Sequence, residues 1–222
     1  MDQFANKDGI QIIFDLIHVI QKNKQYLSDI DGAIGDGDHG INMNKGFTLC
    51  QNELQANPGN MAYGFETLSK ILMLKIGGSM GPLYGCFFKS LAEACKDVDT
   101  INTLVFGRML ISGRKGIQMI SEAKPGDKTI MDVLIPADSA YQTAAETGEC
   151  FQVCLDKMVE AARLGRDTTK DMVAKLGRSS RLGERSRGVV DAGAASCCLI
   201  LESMAVTINQ LLTRGSQISQ KS

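Results

Sequence analysis

Apolar residues recur at helical spacing along nearly the whole chain, and almost nowhere in the alternation that a half-buried strand requires. Ile10, Ile13, Phe14, Ile17 and Ile20 form one stripe, Met43, Phe47, Cys50 and Leu54 a second, and Met61, Phe65, Leu68 and Leu72 a third. Leu83, Phe87, Leu91 and Ala94 follow Pro82, a residue suited to a first helical position. Leu104, Leu110, Ile117 and Ile120 continue the series. Ile130, Val133, Leu134, Ala137 and Tyr141 come next, with Pro136 expected to kink that helix. Residues 149–175 are helical in character, in one or two pieces. Ala194, Cys198, Leu201, Ala205, Ile208 and Leu212 close the series behind Asp191, a suitable cap. No Asn-Gly hairpin signal separates apolar runs. The expectation is an all-α single domain over residues 1–222, with about eight helices packed antiparallel around one core.

A chain of 222 residues buries a sizeable core. Its net charge of −1 leaves no dominant basic face and argues against nucleic acid as a partner. The N-terminus lacks the basic and apolar regions of a signal peptide. Asp191, Glu202 and Asn209 interrupt the most apolar stretch, Val189 to Leu212, so no membrane span is expected. None of the seven cysteines forms a C-x-x-C pair. Cys150 and Cys154 share a helical face, but two thiols without a second pair make a poor zinc site. Reduced cysteines serving as small core hydrophobes imply a reducing compartment, with the cytoplasm the expected location.

The breaks between stripes carry the chemistry. Residues 35–40 read GDGDHG, with Asp31 just upstream. Like charges at ~4 Å repel by about 1 kcal/mol even in water, so either this stretch splays into solvent or a cation sits among Asp31, Asp36 and Asp38. Gly35, Gly37 and Gly40 match G-x-G-x-x-G, but no strand precedes them and the aspartates would repel a pyrophosphate. An EF-hand fails for want of its bidentate Glu. Oxygen ligands without soft partners suit a hard cation, most simply Mg²⁺.

GGSMGP, residues 77–82, ends at an expected helix start, where free amides and the helix dipole receive anions. PGDKT places Lys128 and Thr129 at another such start, without the upstream glycine of a Walker A loop. Arg178, Arg181, Arg185 and Arg187 lie among glycines before the Asp191-Ala192-Gly193 break, and guanidinium groups fork phosphate oxygens. His18 falls on the first amphipathic helix and reads as structural, whereas His39 sits in the acidic loop as a ligand contact. Gathered at one end of a bundle, these breaks supply the parts of a magnesium–nucleotide site for phosphoryl transfer.

The strings DGAIGDGDHGINMN, GGSMGPLYG, KPGDKTIMDVLIP and GRSSRLGERSRGVVDAGAAS, in that order, resemble the L subunit of dihydroxyacetone kinase over essentially the whole chain. The resemblance implies a barrel of eight antiparallel helices with a nucleotide at one end. It implies two Mg²⁺ ions on Asp31, Asp36 and Asp38, bridging to ADP or ATP lined by His39, Gly40, Ile41 and Asn42. Ser79 and Met80 would form the phosphate-side turn, Ser121 and Ile130 the base pocket, and Arg178, Asp191, Ala192 and Gly193 the covering loop. No catalytic residue is assigned to this chain, because the family holds its ketose on a histidine of a separate K subunit. Some members take phosphate from ATP. Others recharge a bound ADP from a phosphohistidine protein of the sugar phosphotransferase system. A homodimer or hetero-oligomer is the expected assembly. Ser79-Met80, Arg181 and Ala192 depart from the commoner Ala-Ser, aromatic and proline of the family. A nucleotide-sensing regulator, a fatty-acid-kinase-like domain and a calcium-stabilised structural domain rank below this reading.

Overall fold

The computed structural model describes residues 3–219. Eight helices close into a ring: α1 (Ile10–Lys22), α3 (His39–Ala56), α4 (Met61–Lys75), α5 (Met80–Cys95), α6 (Thr103–Gln118), α7 (Met131–Glu146), α8 (Phe151–Thr168) and α9 (Ala192–Ser219). Each packs on the next, and α9 returns to α1. The apolar stripes account for all eight. The ninth, α2 (Lys24–Ile34), lies against α3 and α9 and buries only Leu27 and Ile34. So thin an apolar face is why its periodicity is faint in the sequence.

The barrel is filled rather than hollow. Phe88 meets the rings of Phe47, Phe65, Tyr84 and Phe87 at centroid distances of 5.2 to 6.1 Å. A second aromatic group joins Phe106, Tyr141, Phe151 and Phe4. Such pairs hold helices at fixed spacing beyond what area burial alone provides. Two three-residue strands, Gln3–Ala5 and Thr100–Asn102, pair antiparallel. The sequence carries no strand signal here, because three residues are too few for alternation to register. Beside them the Asn6 side chain donates to the carbonyls of Cys95 and Val98 at 2.7 and 2.8 Å.

Several boundaries shift from expectation. The acidic break is only residues 35–38, since α2 runs through Asp31 and α3 begins at His39. Pro82 is the third residue of α5, still in the first turn where an amide lacks an intrahelical partner. Ile120 lies past the end of α6. Residues 149–175 resolve into α8 and a 3-10 turn, Thr169–Asp171. His18 is exposed on α1 rather than packed. The cysteines form no disulfide among the described residues, and Cys50, Cys95, Cys154, Cys197 and Cys198 are buried. Helix α9 is long and apolar enough to pass as a membrane span, yet most of that stretch is buried against its neighbours.

Helix α7 continues through Pro136. Proline has no N–H for the Asp132 carbonyl one turn back. Gly165 of α8 approaches that carbonyl so closely that a Cβ there would collide with it. Gly165→Ala should therefore force α7 and α8 apart and cost about 1–3 kcal/mol, the usual range for overpacking. A urea midpoint equal to that of the parent chain would show that the two helices yield freely.

Candidate functional site

Helices α3, α5, α7 and α9 all begin at the same end of the barrel. His39, Met80, Ile130, Ala192 and Gly193, at or beside their first residues, line one cavity of about 570 Å³. Each helix start carries amides without intrahelical partners and roughly half a positive charge, so four of them facing one cavity favour an anion of high charge. Gly77 and Gly78 form an open wall with nothing near their missing side chains, and Gly78 takes φ 73°, a conformation suited to glycine.

Beside this positive ring stand Asp31, Asp36 and Asp38, each offering one carboxylate oxygen, the three within 4.8 Å of one another. Asp31 projects from the last turn of α2, and Gly35 lets the chain double back against it. A side chain at Gly35 would meet Asp31 Oδ1 at 2.6 Å. Gly37, at φ 76°, turns the loop into α3. The His39 amide donates to Asp31 Oδ2 at 3.2 Å, so one acid also caps a helix. Arg178 pairs with Asp36 and, at 3.4 Å, with Asp38. One guanidinium cannot balance three carboxylates. Three oxygen ligands with no nitrogen or sulfur among them fit a hard divalent cation.

Of the residues singled out in the sequence, Asp31, Asp36, Asp38, His39, Asn42, Ser79, Met80, Ser121, Ile130, Arg178, Asp191, Ala192 and Gly193 all line the cavity. Gly40 and Ile41 do not. Helical rotation puts His39 and Asn42 on one face, three residues apart. Gly40 instead turns into α2, where a Cβ would strike the Lys24 carbonyl and Ser28. Ile41 points outward and is 53% exposed.

Tyr84, which the sequence did not single out, also lines the cavity, with Ser196 behind it. His39 Nε2 lies 2.9 Å from Ser196 Oγ, which in turn lies 2.6 Å from the Tyr84 hydroxyl, linking α3, α9 and α5. Burial holds His39 down to about 4, against the raising effect of Asp31, so its ring is neutral at physiological pH. Asp191 caps α9 by accepting from the Ala194 amide at 2.8 Å. Burial nevertheless raises its carboxyl to about 6. Lys128, at φ 62° and 1% exposed, directs its ammonium to the carbonyls of Met172, Ser186 and Val189. Burial draws that ammonium below its ordinary range, while the Asp191 charge opposes the effect. No local pattern announces these partners, which lie up to 157 residues apart in the chain.

A closed helical barrel with one cleft that joins an acidic cluster to four helix starts is a domain built to hold a metal-bound polyanion. Residues 33–206 match the DAK2 domain, and the chain belongs to that family. It is 36% identical over 189 residues to the ADP-binding subunit DhaL of PEP-dependent dihydroxyacetone kinase 1 from Listeria innocua, covering 85% of this chain and 89% of that one. Against the corresponding DhaL subunit of Escherichia coli the identity is 31% over 193 residues, 86% and 92% of the two chains. The fold is also that of the dihydroxyacetone kinase of C. freundii, with a TM-score of 0.70 at 21% identity, covering 91% of this chain and 35% of that one.

Proposed function

We propose that this chain is the nucleotide-binding subunit of a kinase for dihydroxyacetone or a related short ketose. The observation that carries the reading is the meeting of Asp31, Asp36 and Asp38 with four helix starts in one cleft. Helix starts alone would take a bare anion, and the aspartates would repel it. Both are satisfied at once by a nucleotide polyphosphate with divalent ions between phosphate and carboxylate. Three carboxylates allow two Mg²⁺ ions. When bound, these would neutralise phosphate charge and align the transferring group. Asp31, Asp36 and Asp38 fix where that charge is met. The amides at Ser79–Met80 and Ala192–Gly193 receive phosphate oxygens, Ser121 and Ile130 flank the base, and Arg178 covers the cleft from the loop. A C. freundii relative of this fold, at TM-score 0.65 and 19% identity, was solved with AMP-PNP and Mg²⁺, which supports this pairing.

The ketose belongs on a partner. His39 is the only histidine lining the cleft among the described residues, and its Nε2 is engaged by Ser196, so it is not free to bond a carbonyl carbon. Ile41, Met119, Ile120 and Leu176 are exposed at this end, an apolar rim suited to docking a K-type subunit. The phosphoryl donor is a phosphohistidine protein of the sugar phosphotransferase system acting on retained ADP. In support, the relatives matched along most of their own length are ADP-binding subunits of PEP- or PTS-dependent kinases. In the longer L-erythrulose kinase of Pectobacterium atrosepticum, by contrast, the match covers 34%.

Native mass spectrometry of the freshly purified chain is expected to show one ADP with Mg²⁺ retained through buffer exchange. Combining it with a K-type subunit, dihydroxyacetone and a phosphohistidine donor should then yield ketose phosphate. Nucleotide binding with no ketose phosphate from either that donor or ATP would replace this reading with a nucleotide-sensing regulator.

A further inference from the structure

The segment from Leu176 to Val189 carries Arg178 to the cleft and is held by polar contacts: Arg178 pairs with Asp36 and Asp38, the Arg187 guanidinium donates to the Asp171 carbonyl, and the Gly188 amide donates to the Lys170 carbonyl at 2.7 Å. Arg178, Arg181, Arg185 and Arg187 are exposed, and Gly177, Gly183 and Gly188 all take positive φ with nothing near their missing side chains. Its one buried side chain is Ser186, whose hydroxyl accepts from the Ala174 amide at 2.9 Å and donates to the Gly183 carbonyl at 2.7 Å. Without apolar burial, such a segment keeps its shape only through hydrogen bonds at its ends.

Those ends meet at Lys128. Its ammonium donates to the Met172 carbonyl at 3.2 Å, before the segment, and to those of Ser186 and Val189 at 2.5 and 2.7 Å, where the segment ends. All three N–H groups are thereby used, so this lysine has no donor left for a phosphate. No carboxylate lies within ion-pair distance of it among the described residues. A left-handed backbone at a non-glycine residue is a strained state that persists only when its surroundings enforce it. The neighbouring residue acts in the same direction: the Asp127 carbonyl accepts from the Lys175 amide at 3.2 Å, and its carboxylate pairs with Lys175 Nζ at 3.3 Å.

We propose that Lys128 is the positioning residue that pins the 176–189 segment, and with it Arg178, over the nucleotide cleft. The inference rests on the nucleotide reading above for what the segment covers, but not for what holds it. Removal of the ammonium leaves three carbonyls unpaired, and the exposed segment turns outward to hydrate them while the barrel stays closed.

The test compares the full chain with Lys128→Met and Lys128→Gln. Without nucleotide, trypsin is expected to cut K128M at Arg178, Arg181, Arg185 and Arg187 at least tenfold faster than the parent. With Mg²⁺ present, mant-ADP should leave K128M at least tenfold faster, with far-ultraviolet circular dichroism unchanged. Glutamine keeps two N–H donors and no charge, so K128Q should recover much of the slow cleavage and slow release. Parent-like cleavage and release in K128M would overturn the proposal. So would a K128Q no better than K128M, or loss of helical signal in both variants. A parent chain that fails to bind mant-ADP would remove the nucleotide reading, while the cleavage comparison would still judge the role of Lys128.

Discussion

Asp36→Asn is expected to lower phosphoryl transfer on the order of 10²–10³-fold, the scale of losing one preorganised electrostatic partner at a reacting phosphate. The side chain is 46% exposed, projects into the cleft and takes no part in the core, so the amide fits without repacking. Removing one of three mutually repelling carboxylates relieves the loop but gives up the exposed pairing with Arg178, so the thermal midpoint should change little. Affinity for ADP should drop with Mg²⁺ present and change little in EDTA, because the lost contact is to the ion and not to the nucleotide. Steady-state transfer with a K-type partner, alongside calorimetry in the two buffers, measures both. Parent-like turnover would mean that Asp36 holds no metal and that the acidic cluster is only a solvated turn.

The second large effect is on stability. The Asp191 carboxyl rises from 3.8 to about 6, chiefly through burial, with Asp132 and Asp31 adding to the rise and the Ala194 amide and Lys128 opposing it. A carboxyl raised on folding makes the native state bind the extra proton between those values, so its contribution falls as pH climbs through that window and stays low above it. Asn caps a helix as well as Asp and does not titrate. The stability of Asp191→Asn minus that of the parent is therefore expected to grow from pH 4 to pH 6 and then level off. From 3.8 to about 6 corresponds to at most about 3 kcal/mol, since the group borders the cleft. His39 is lowered to about 4 and slopes the opposite way, but it is present in both chains and cancels in the difference. Urea unfolding without metal at several pH values gives the curve. A difference independent of pH would show that Asp191 is ionised at no cost.

The helices and the acidic cluster were legible because both are written locally. Helix period needs only neighbours three and four residues away, and GDGDHG is a contiguous string. The first helical break shows where local reading stops. Asp31 reads as a loop residue because Gly32 and Gly35 follow it, yet it sits on α2, whose narrow apolar face rests on Leu27 and Ile34. The places of Gly40 and Ile41 depended on a boundary. With α3 beginning at His39, rotation sends these two away from the cleft and keeps His39 and Asn42 towards it. The Tyr84–Ser196–His39 chain and the carbonyl partners of Lys128 had no sequence signal, because closure of the barrel alone brings those residues together.

The positive ring of the cleft is made of peptide amides, and this bears on how such a protein changes over time. Substituting a side chain in the first turn of α3, α5, α7 or α9 leaves the field from that backbone in place. A deletion that slides where one of those helices begins would disturb it even with every polar side chain retained. Lineages should thus drift freely in residue identity around the rim while keeping the lengths of the four connections nearly fixed.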